Sequence, residues 1–236
     1  MTEQAFDSVA EDSPSPPRLG RTVRPRDAAT LVLVRGGKVD PKVLMGRRHG
    51  GHDFMPGKWV FPGGRVDRGD FTAPSASELR PDVAALLSAG TPARRARAIA
   101  LAAIRETFEE VGLLLARPAP PRLGAGPWRD FLHLGAAPDL AALDFIARAI
   151  TPPMSPKRFD ARFFMADATR LLRQEPLADC GELDEIAWFS LNDALELDLP
   201  SVTRFVLRDL PARLADRTRS APCLRYVRGK QSVTHI

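Results

Sequence analysis

Residues 105–113 read Arg105-Glu106-Thr107-Phe108-Glu109-Glu110-Val111-Gly112-Leu113 and carry three closely spaced glutamates. Its glutamates stand at spacings of i, i+3 and i+4, which on an α-helix places all three on one side. Like charges at these spacings repel by roughly a few tenths of a kcal/mol per pair, so the group favours a bound cation. We therefore consider a divalent metal site on a helix, with a solvated acidic face as the alternative interpretation.

The opposite side of the same segment is apolar. Hydrophobic residues recur there at spacings of three and four, as on a helix that packs against a core: Leu101, Ile104, Phe108, Val111 and Leu115. Gly90 is expected to end a preceding helix and Pro92 to start this one. The pattern predicts a long helix with one buried face and one face of oxygen ligands.

A glycine-rich turn lies upstream, in Phe61-Pro62-Gly63-Gly64-Arg65-Val66-Asp67-Arg68-Gly69-Asp70. With the helix it resembles the signature of the Nudix hydrolase superfamily: Gly, five residues, an acid, seven residues, then Arg-Glu-hydrophobic-x-Glu-Glu-x-Gly-hydrophobic. Gly64 opens the signature, and Asp70 stands where the family usually has Glu. Two departures are present: Thr107 fills a normally hydrophobic position, and 34 residues separate Asp70 from Arg105.

The long spacer is compatible with the signature, because doubling a loop costs only about 0.6 kcal/mol. An insertion at about 71–93 is similar to the branch that includes the peroxisomal coenzyme A diphosphatases of animals. Segments 54–64, 158–164 and 181–189 also resemble that branch. The resemblance implies an α/β fold, the Nudix α/β/α sandwich with a mixed sheet and a helical insertion. The insertion is expected to serve specificity or an interface.

The resemblance also assigns roles in the metal site. Glu106, Glu109 and Glu110 are expected to bind metal, together with the carbonyl of Gly63. Glu109 and Arg105 are expected among the catalytic residues, with Arg105 orienting Glu109 from one turn away. The choice between Mg²⁺ and Mn²⁺ is open, and the number of ions is one or two.

The remaining positions of the signature are expected to be structural. Asp70 is expected to hold the glycine-rich loop to Arg105, and Gly64 and Gly112 to be structural glycines of the two ends. The histidines and cysteines show no zinc spacing, which favours a hard, oxygen-bound ion: His49, His52, His133, His235, Cys180 and Cys223.

The base that activates water in this superfamily often lies on a later loop, ahead of a strand tryptophan. Glu182, six residues before Trp188, is the matching candidate, and Glu185 is the alternative. A carboxylate within the signature itself is the remaining option for the proton acceptor.

Three arginines are candidates for substrate binding. Arg47 and Arg48 follow the second predicted strand, where they can grip phosphate through planar guanidinium groups or lie solvated at the strand end. Arg158 is expected at the pocket rim. The implied reaction is hydrolysis of a diphosphate bond in a nucleoside diphosphate linked to another group, with coenzyme A or acyl-coenzyme A as the lead.

Two other function classes stay open. One is a catalytically silent ligand-binding or regulatory module on the same fold, against which the three intact glutamates argue. The other is an enzyme resembling isopentenyl-diphosphate isomerase, which needs a cysteine near the active centre. Cys180 borders the Glu182 loop and would serve that role.

Composition agrees with these expectations. The chain has 236 residues, 44% of them apolar, enough for one domain with a sizeable core. Its net charge of +5 comes from scattered arginines, so we expect a phosphorylated small molecule and no specific nucleic acid. No apolar run reaches the ~18–20 residues of a membrane helix, and the N-terminal segment lacks a secretory signal. We expect no membrane contact and a cytoplasmic location, and a homodimer is left open.

The predicted organisation has three parts: a mobile tail at 1–26, a Nudix domain at 27–216 and an extended basic segment at 217–236. Strands are expected at 28–35, 43–46, 59–61, 128–134 and 163–166. Further helices are expected at 75–89, 139–150, 192–197 and 204–214.

Overall fold

The computed structural model describes residues 23–51, 55–124, 126–175, 183–227 and 229–236. Most of the tail expected at 1–26 lies outside these residues. The strands are β1 (Arg26–Arg35), β2 (Lys42–Arg48), β3 (Trp59–Val60), β4 (Gly63–Arg65), β5 (Ala116–Pro118), β6 (Ala136–Pro138), β7 (Asp144–Ile150), β8 (Phe159–Asp167), β9 (Leu183–Ser190), β10 (Pro222–Val227) and β11 (Lys230–His235). The α-helices are α1 (Pro81–Ser88), α2 (Ala93–Val111), α3 (Arg129–His133), α4 (Leu191–Glu196) and α5 (Ser201–Ala215).

The main sheet is mixed, as expected. Among the described residues its order is β11-β10-β7-β8-β1-β2-β3, with β4 beside β1 and β9 beside β2. The pairs β1–β8 and β7–β10 are parallel, and the other pairs are antiparallel. One edge of β1 is shared: its end at Val34 and Arg35 pairs with β2, and its start at Ala28 to Thr30 pairs with β4. The glycine-rich strand β4 therefore lies beside the centre of the sheet.

Helices cover both faces of this sheet. Strand β1 is apolar along most of its length because both of its faces are buried. Ala29, Leu31 and Leu33 pack into the core beneath α2, whereas Val32 and Val34 pack into the core beneath α5. The arrangement confirms the predicted α/β/α sandwich.

Helix α2 carries the three glutamates of the signature. It ends at Val111, because Gly112 adopts a left-handed conformation (φ 67°) and its N–H bonds back to the carbonyl of Phe108 at 2.8 Å. This fits the structural role expected of Gly112. The predicted apolar stripe is buried, but its last member, Leu115, lies beyond the end of the helix.

Two predicted elements are wrong. The strand expected at 128–134 is a 3₁₀ turn followed by α3, since Trp128, Phe131 and Leu132 follow a helical spacing of three and four that bulky aromatic residues obscured. The helix expected at 139–150 is a short 3₁₀ turn followed by β7. Pairing of β7 between β8 and β10 overrides its local preference.

The insertion is helical over a shorter range than expected. Its helix is predicted at 75–89 but begins at Pro81. The residues before Pro81 are extended instead, and they are hydrogen-bonded to the segment 139–143 that precedes β7. Ser77 donates to Asp139 at 2.6 Å. Arg80 donates to the carbonyls of Ala141 and Leu143 at 3.0 and 3.1 Å. The insertion therefore supports the fold as well as any role it has in specificity.

Most of the described part of segment 217–236 is extended. It forms the hairpin β10–β11, which joins the main sheet through the pairs Cys223 with Arg148 and Leu224 with Ala149. Within the part of the chain that the structure describes, no helix combines the length and apolar character needed to cross a membrane.

Arg80→Ala should lower the free energy of unfolding by about 1–3 kcal/mol, because it leaves two main-chain carbonyls without this donor and removes one of the two arginines that donate to the largely buried carboxylate of Asp144. Urea unfolding followed by circular dichroism measures this. Arg208→Ala, on the exposed face of α5, is the matched control and should change stability little. Equal stability of the two variants would show that the insertion is not anchored through Arg80.

Candidate active site

A buried ion pair joins the two halves of the signature. The carboxylate of Asp70 accepts hydrogen bonds from Arg105 Nε at 2.9 Å and Nη2 at 3.1 Å. It also accepts from Trp128 Nε1 at 2.9 Å and from the main-chain N–H of Asp67 at 2.7 Å. Asp70 is fully buried and Arg105 is 3% exposed. Every buried oxygen of this carboxylate therefore has donors, as a buried charge requires.

The turn that carries Asp70 explains why an aspartate suffices where the family usually has Glu. Residues Arg68–Phe71 form one 3₁₀ turn, and Asp67 caps it by accepting from Gly69 N at 2.7 Å. Asp70 completes a reciprocal cap by accepting from Asp67 N. The tight turn brings the short side chain within reach of Arg105, and the contact expected between them is present.

Sequence reasoning missed Trp128 as a partner of this pair. A buried tryptophan needs an acceptor for its indole N–H, and Asp70 supplies it. Ring contacts with Phe131, whose centroid lies 5.2 Å away, hold the indole in place. Trp128 is far from Asp70 in sequence, so only the fold shows the contact.

Arg105 also positions the glutamates. Its Nη1 donates to Glu109 Oε2 at 2.6 Å and lies 2.9 Å from Glu106 Oε1. Its Nη2 donates to the carbonyl of Arg65 at 2.8 Å. Burial alone would lower the pKa of Arg105, but its bond to Asp70 and the charges of the glutamates hold that pKa above its ordinary value. The orienting role expected for Arg105 thus has a geometric basis.

The glycine-rich strand β4 lies closer to the glutamates than it could if residues with side chains replaced its glycines. A Cβ atom on Gly64 would lie 2.5 Å from Glu106 Cδ, so a side chain there would displace the carboxylate. The N–H of Gly63 donates to Glu110 Oε2 at 2.7 Å. These contacts support the structural role of Gly64 and place Gly63 at the glutamates. The metal-binding role of the Gly63 carbonyl stays a prediction.

The glutamates suit a hard cation. Burial raises the pKa of Glu106 to about 7, and the charge of Glu109 adds to the rise against the opposing effect of Arg105. Among the described residues no set of three His, Cys, Asp or Glu side chains converges in metal-binding geometry. Arg105 contacts Glu106 and Glu109, and the Gly63 N–H donates to Glu110. Oxygen donors with crowded negative charge nevertheless match the ligands that Mg²⁺ and Mn²⁺ prefer.

The glutamates open onto a broad cleft of about 1420 Å³. It runs from the glycine-rich loop across the sheet, past the start of α5, to the C-terminal hairpin. Cationic and aromatic side chains form much of its lining: Arg24, Arg26, Arg48, Arg65, Arg68, Lys157, Arg158, Phe61, Phe71, Phe159, Phe163 and Tyr226. Phe71 is the one described residue of the 71–93 insertion in this lining.

The three arginines predicted to bind substrate lie in different places. Arg48 lines the cleft and is half-buried. Arg47 does not line it, because neighbouring residues of a strand point to opposite faces, and its Nη2 pairs with Glu185 at 3.4 Å. Its assignment to substrate stays a prediction. Arg158 lines the cleft and donates to the carbonyls of Val23 at 2.7 Å and Thr151 at 3.2 Å.

The structure describes only one of the two candidate bases. Glu182 and Cys180 lie outside the described residues, so the preferred base and the cysteine of the isomerase alternative stay predictions. Glu185 does not line the cleft and lies opposite Arg47 in the β2–β9 pairing. Its side chain is 53% exposed. This placement does not favour Glu185 as the base.

In chelator, Glu106→Gln should leave the melting temperature unchanged or raise it. Because burial raises the folded-state pKa of Glu106 from 4.5 to about 7, the ionised carboxyl costs stability as pH rises through this interval. The advantage of glutamine should therefore grow across the interval and be largest above pH ~7. Thermal melts at several pH values measure it, and added Mg²⁺ or Mn²⁺ should stabilise the wild type more than the variant.

Glu78→Gln is the control of opposite sign. Its hydrogen bond from Arg97 lowers the pKa of Glu78, so this variant should lose a little stability above that carboxyl's ordinary pKa. A Glu106→Gln protein that melts lower than the wild type in chelator at high pH would contradict the crowding of charge at the site.

Comparison with known proteins agrees with this geometry. No family model matches the chain. It is 30% identical to acyl-coenzyme A diphosphatase NUDT19 of Gallus gallus over 72% of this chain and 62% of that protein. It is 29% identical to the Homo sapiens protein of the same name, over 66% and 55%. The chain thus spans less than two thirds of the length of these relatives.

A solved structure covers a larger share. The Nudix hydrolase from Alicyclobacillus acidocaldarius is 31% identical, with a TM-score of 0.60, over 81% of this chain and 96% of that one. The resemblance therefore extends through both sequence and overall fold. The chain belongs to the Nudix hydrolase superfamily.

Proposed function

We propose that the chain is a metal-dependent diphosphohydrolase that acts on a nucleoside diphosphate linked to another group. Coenzyme A or an acyl-coenzyme A is the lead substrate. The observation that carries the proposal is the packing of the glycine-rich strand against Glu106 and Glu110, beside Glu109 on Arg105, at one end of a cationic cleft. The names of the chicken and human relatives support the choice of substrate.

The three glutamates are the proposed metal ligands. Bound Mg²⁺ or Mn²⁺ would supply charge neutralisation for the diphosphate and an activated water. The carboxylate of Glu106 occupies the space that a side chain at position 64 would need, and Glu110 lies against Gly63. Both carboxylates therefore lie where the glycine-rich strand comes nearest the helix. Arg105 holds Glu109 at the same site.

Arginines of the cleft are the proposed contacts to phosphate oxygens. Arg48 and Arg65 line the same cleft as the glutamates, and guanidinium groups bind phosphate through paired N–H donors. Arg158 supports the wall through main-chain carbonyls and keeps further N–H donors for substrate. The cleft exceeds the roughly 300–1,000 Å³ of common small-molecule pockets, which suits a long substrate.

The competing functions have weaker support. A silent binding module would not need three crowded carboxylates held against a glycine strand. An enzyme of the isomerase type would need Cys180, and the other cysteine, Cys223, is buried in the β7–β10 pairing. A small-molecule substrate follows from the cleft. The cytoplasmic location and the option of a homodimer stay predictions.

Glu110→Gln should lower turnover by at least ~100-fold without unfolding the protein, because it removes one charged ligand from an ion that stabilises charge in the transition state. Purified protein is assayed with Mg²⁺ or Mn²⁺ against coenzyme A, acyl-coenzyme A, ADP-ribose, dinucleoside polyphosphates, NADH and nucleoside triphosphates, with products read by mass. Chelator should abolish activity.

Glu196→Gln, an exposed change at the end of α4, is the matched control and should keep full activity. The metal-site assignment fails if Glu110→Gln turns over at the wild-type rate. The diphosphohydrolase proposal fails if no diphosphate compound of the panel is cleaved by the wild type with either ion.

Glu182→Gln should depress kcat by about 10²–10⁴-fold with little change in metal binding, since general-base assistance acts in the transition state. Glu185→Gln should be mild, because that side chain forms a surface pair with Arg47. Steady-state kinetics with a parallel Mn²⁺ titration separate the two. A crippled Glu185→Gln beside a mild Glu182→Gln would reverse the assignment. Two mild variants would move the proton to a carboxylate of the signature such as Glu109, or to an acid on another loop.

A further inference from the structure

The cleft continues beyond the region that the diphosphate chemistry uses. It passes along the sheet to the C-terminal hairpin, where it is lined by Leu224 and Tyr226 of β10 and by Gln231 of β11. Tyr226 and Gln231 are partners across the hairpin. The proposed reaction assigns these residues no role, although they share one cleft with the glutamates.

A row of side chains crosses the sheet at this far end. Arg26 pairs with Phe159 in the β1–β8 register. Phe159 is bonded to Thr151 in both directions: Thr151 N donates to the Phe159 carbonyl at 2.9 Å, and Phe159 N donates to Thr151 Oγ1 at 3.0 Å. All three residues line the cleft. With Tyr226 we call them the outer row.

Strand register places Tyr226 in this row. Leu224 is the partner of Ala149 in the parallel pair β7–β10. Tyr226 and Thr151 each stand two residues farther along, so they are level and share the face of the sheet that lines the cleft. Tyr226 is partly buried, which leaves part of its ring open to the cleft.

The distance between the outer row and the glutamates suits the length of a nucleoside. Arg26 and Thr30 are four residues apart on β1, which is about 13 Å along an extended strand. Thr30 is the partner of Gly63, next to the carboxylates. A diphosphate alone does not fill this span, whereas a sugar and a base attached to it would.

The chemistry of the outer row fits a nucleobase and an anion. Flat aromatic rings such as Tyr226 stack bases of any sequence. Arg26 is exposed at the same end, with Arg24 and Lys157 also in the lining. The nearby carboxylate of Asp27 is held by Arg95 and Arg162, so it does not cancel this positive charge.

We propose that the outer row binds the nucleoside half of the substrate, with the base on Tyr226 and a phosphate group of the sugar on Arg26. This deepens the proposed function and rests on it, because it takes the diphosphate to lie at the glutamates. It assigns residues outside the metal site to the second phosphate that coenzyme A carries on its ribose, in addition to the diphosphate that is cleaved.

The test is calorimetric binding of adenosine 3′,5′-bisphosphate and of adenosine 5′-monophosphate in Mg²⁺ buffer. The wild type should bind the bisphosphate at least about tenfold more tightly, and Arg26→Gln should remove most of that difference. Tyr226→Ala should weaken both nucleotides at least about tenfold, and Tyr226→Phe should restore them. Arg225→Gln, on the adjacent exposed position facing away from Tyr226, is the control and should bind as the wild type does.

Melting curves identify variants that unfold, and Arg26→Gln alters an exposed side chain, so it decides the matter if Tyr226→Ala is unstable. Equal binding of the two nucleotides by the wild type, or wild-type binding by a folded Arg26→Gln, would overturn the inference. Hydrolysis of the panel of diphosphate compounds, coenzyme A included, is measured in parallel and separates the two proposals. Selective binding without hydrolysis overturns the function alone, and hydrolysis indifferent to both variants overturns the outer row alone.

Discussion

The buried pair of Arg105 and Asp70 is the interaction on which the rest of the site depends. A buried ion pair repays its loss of hydration only when its remaining donors and acceptors are also satisfied. Here Trp128 and the main chain of Asp67 complete the carboxylate, and Glu109 and the Arg65 carbonyl complete the guanidinium. The pair therefore fixes the turn after β4 against α2, and with it the distance between glycine strand and glutamates.

That distance has a chemical consequence. Glycine at position 64 lets the strand approach until only a carboxylate fits between it and the helix. Burial then makes ionisation of Glu106 costly, as its pKa of about 7 indicates. The site stores negative charge that the protein alone compensates only in part, through Arg105. A divalent cation would relieve this cost, and the cationic cleft beyond it would receive the negative charge of a phosphorylated substrate.

How far the sequence predicts this structure depends on how local each signal is. Helix α2 and its cap at Gly112 follow from spacing and from a glycine, both readable along the chain. The pairing of Asp70 with Arg105 was predicted only from the family resemblance. The fold brings the two side chains within hydrogen-bonding distance. Trp128 as a third partner, the strand character of β7 and the orientation of Arg47 depend on pairing between distant segments, which no local pattern encodes. The sequence likewise gives no sign that the insertion is anchored to the rest of the fold, because its partners just before β7 are remote in sequence.

The central claim is that the glutamates of α2 and the glycine-rich strand form one divalent-metal site. X-ray diffraction at the manganese absorption edge, from crystals grown with Mn²⁺, tests it most directly. The account predicts one or two anomalous peaks within about 2.0–2.6 Å of carboxylate oxygens of Glu106, Glu109 and Glu110. Manganese bound only elsewhere, with Glu109 still on Arg105 and Glu110 still on Gly63 N–H, would contradict it.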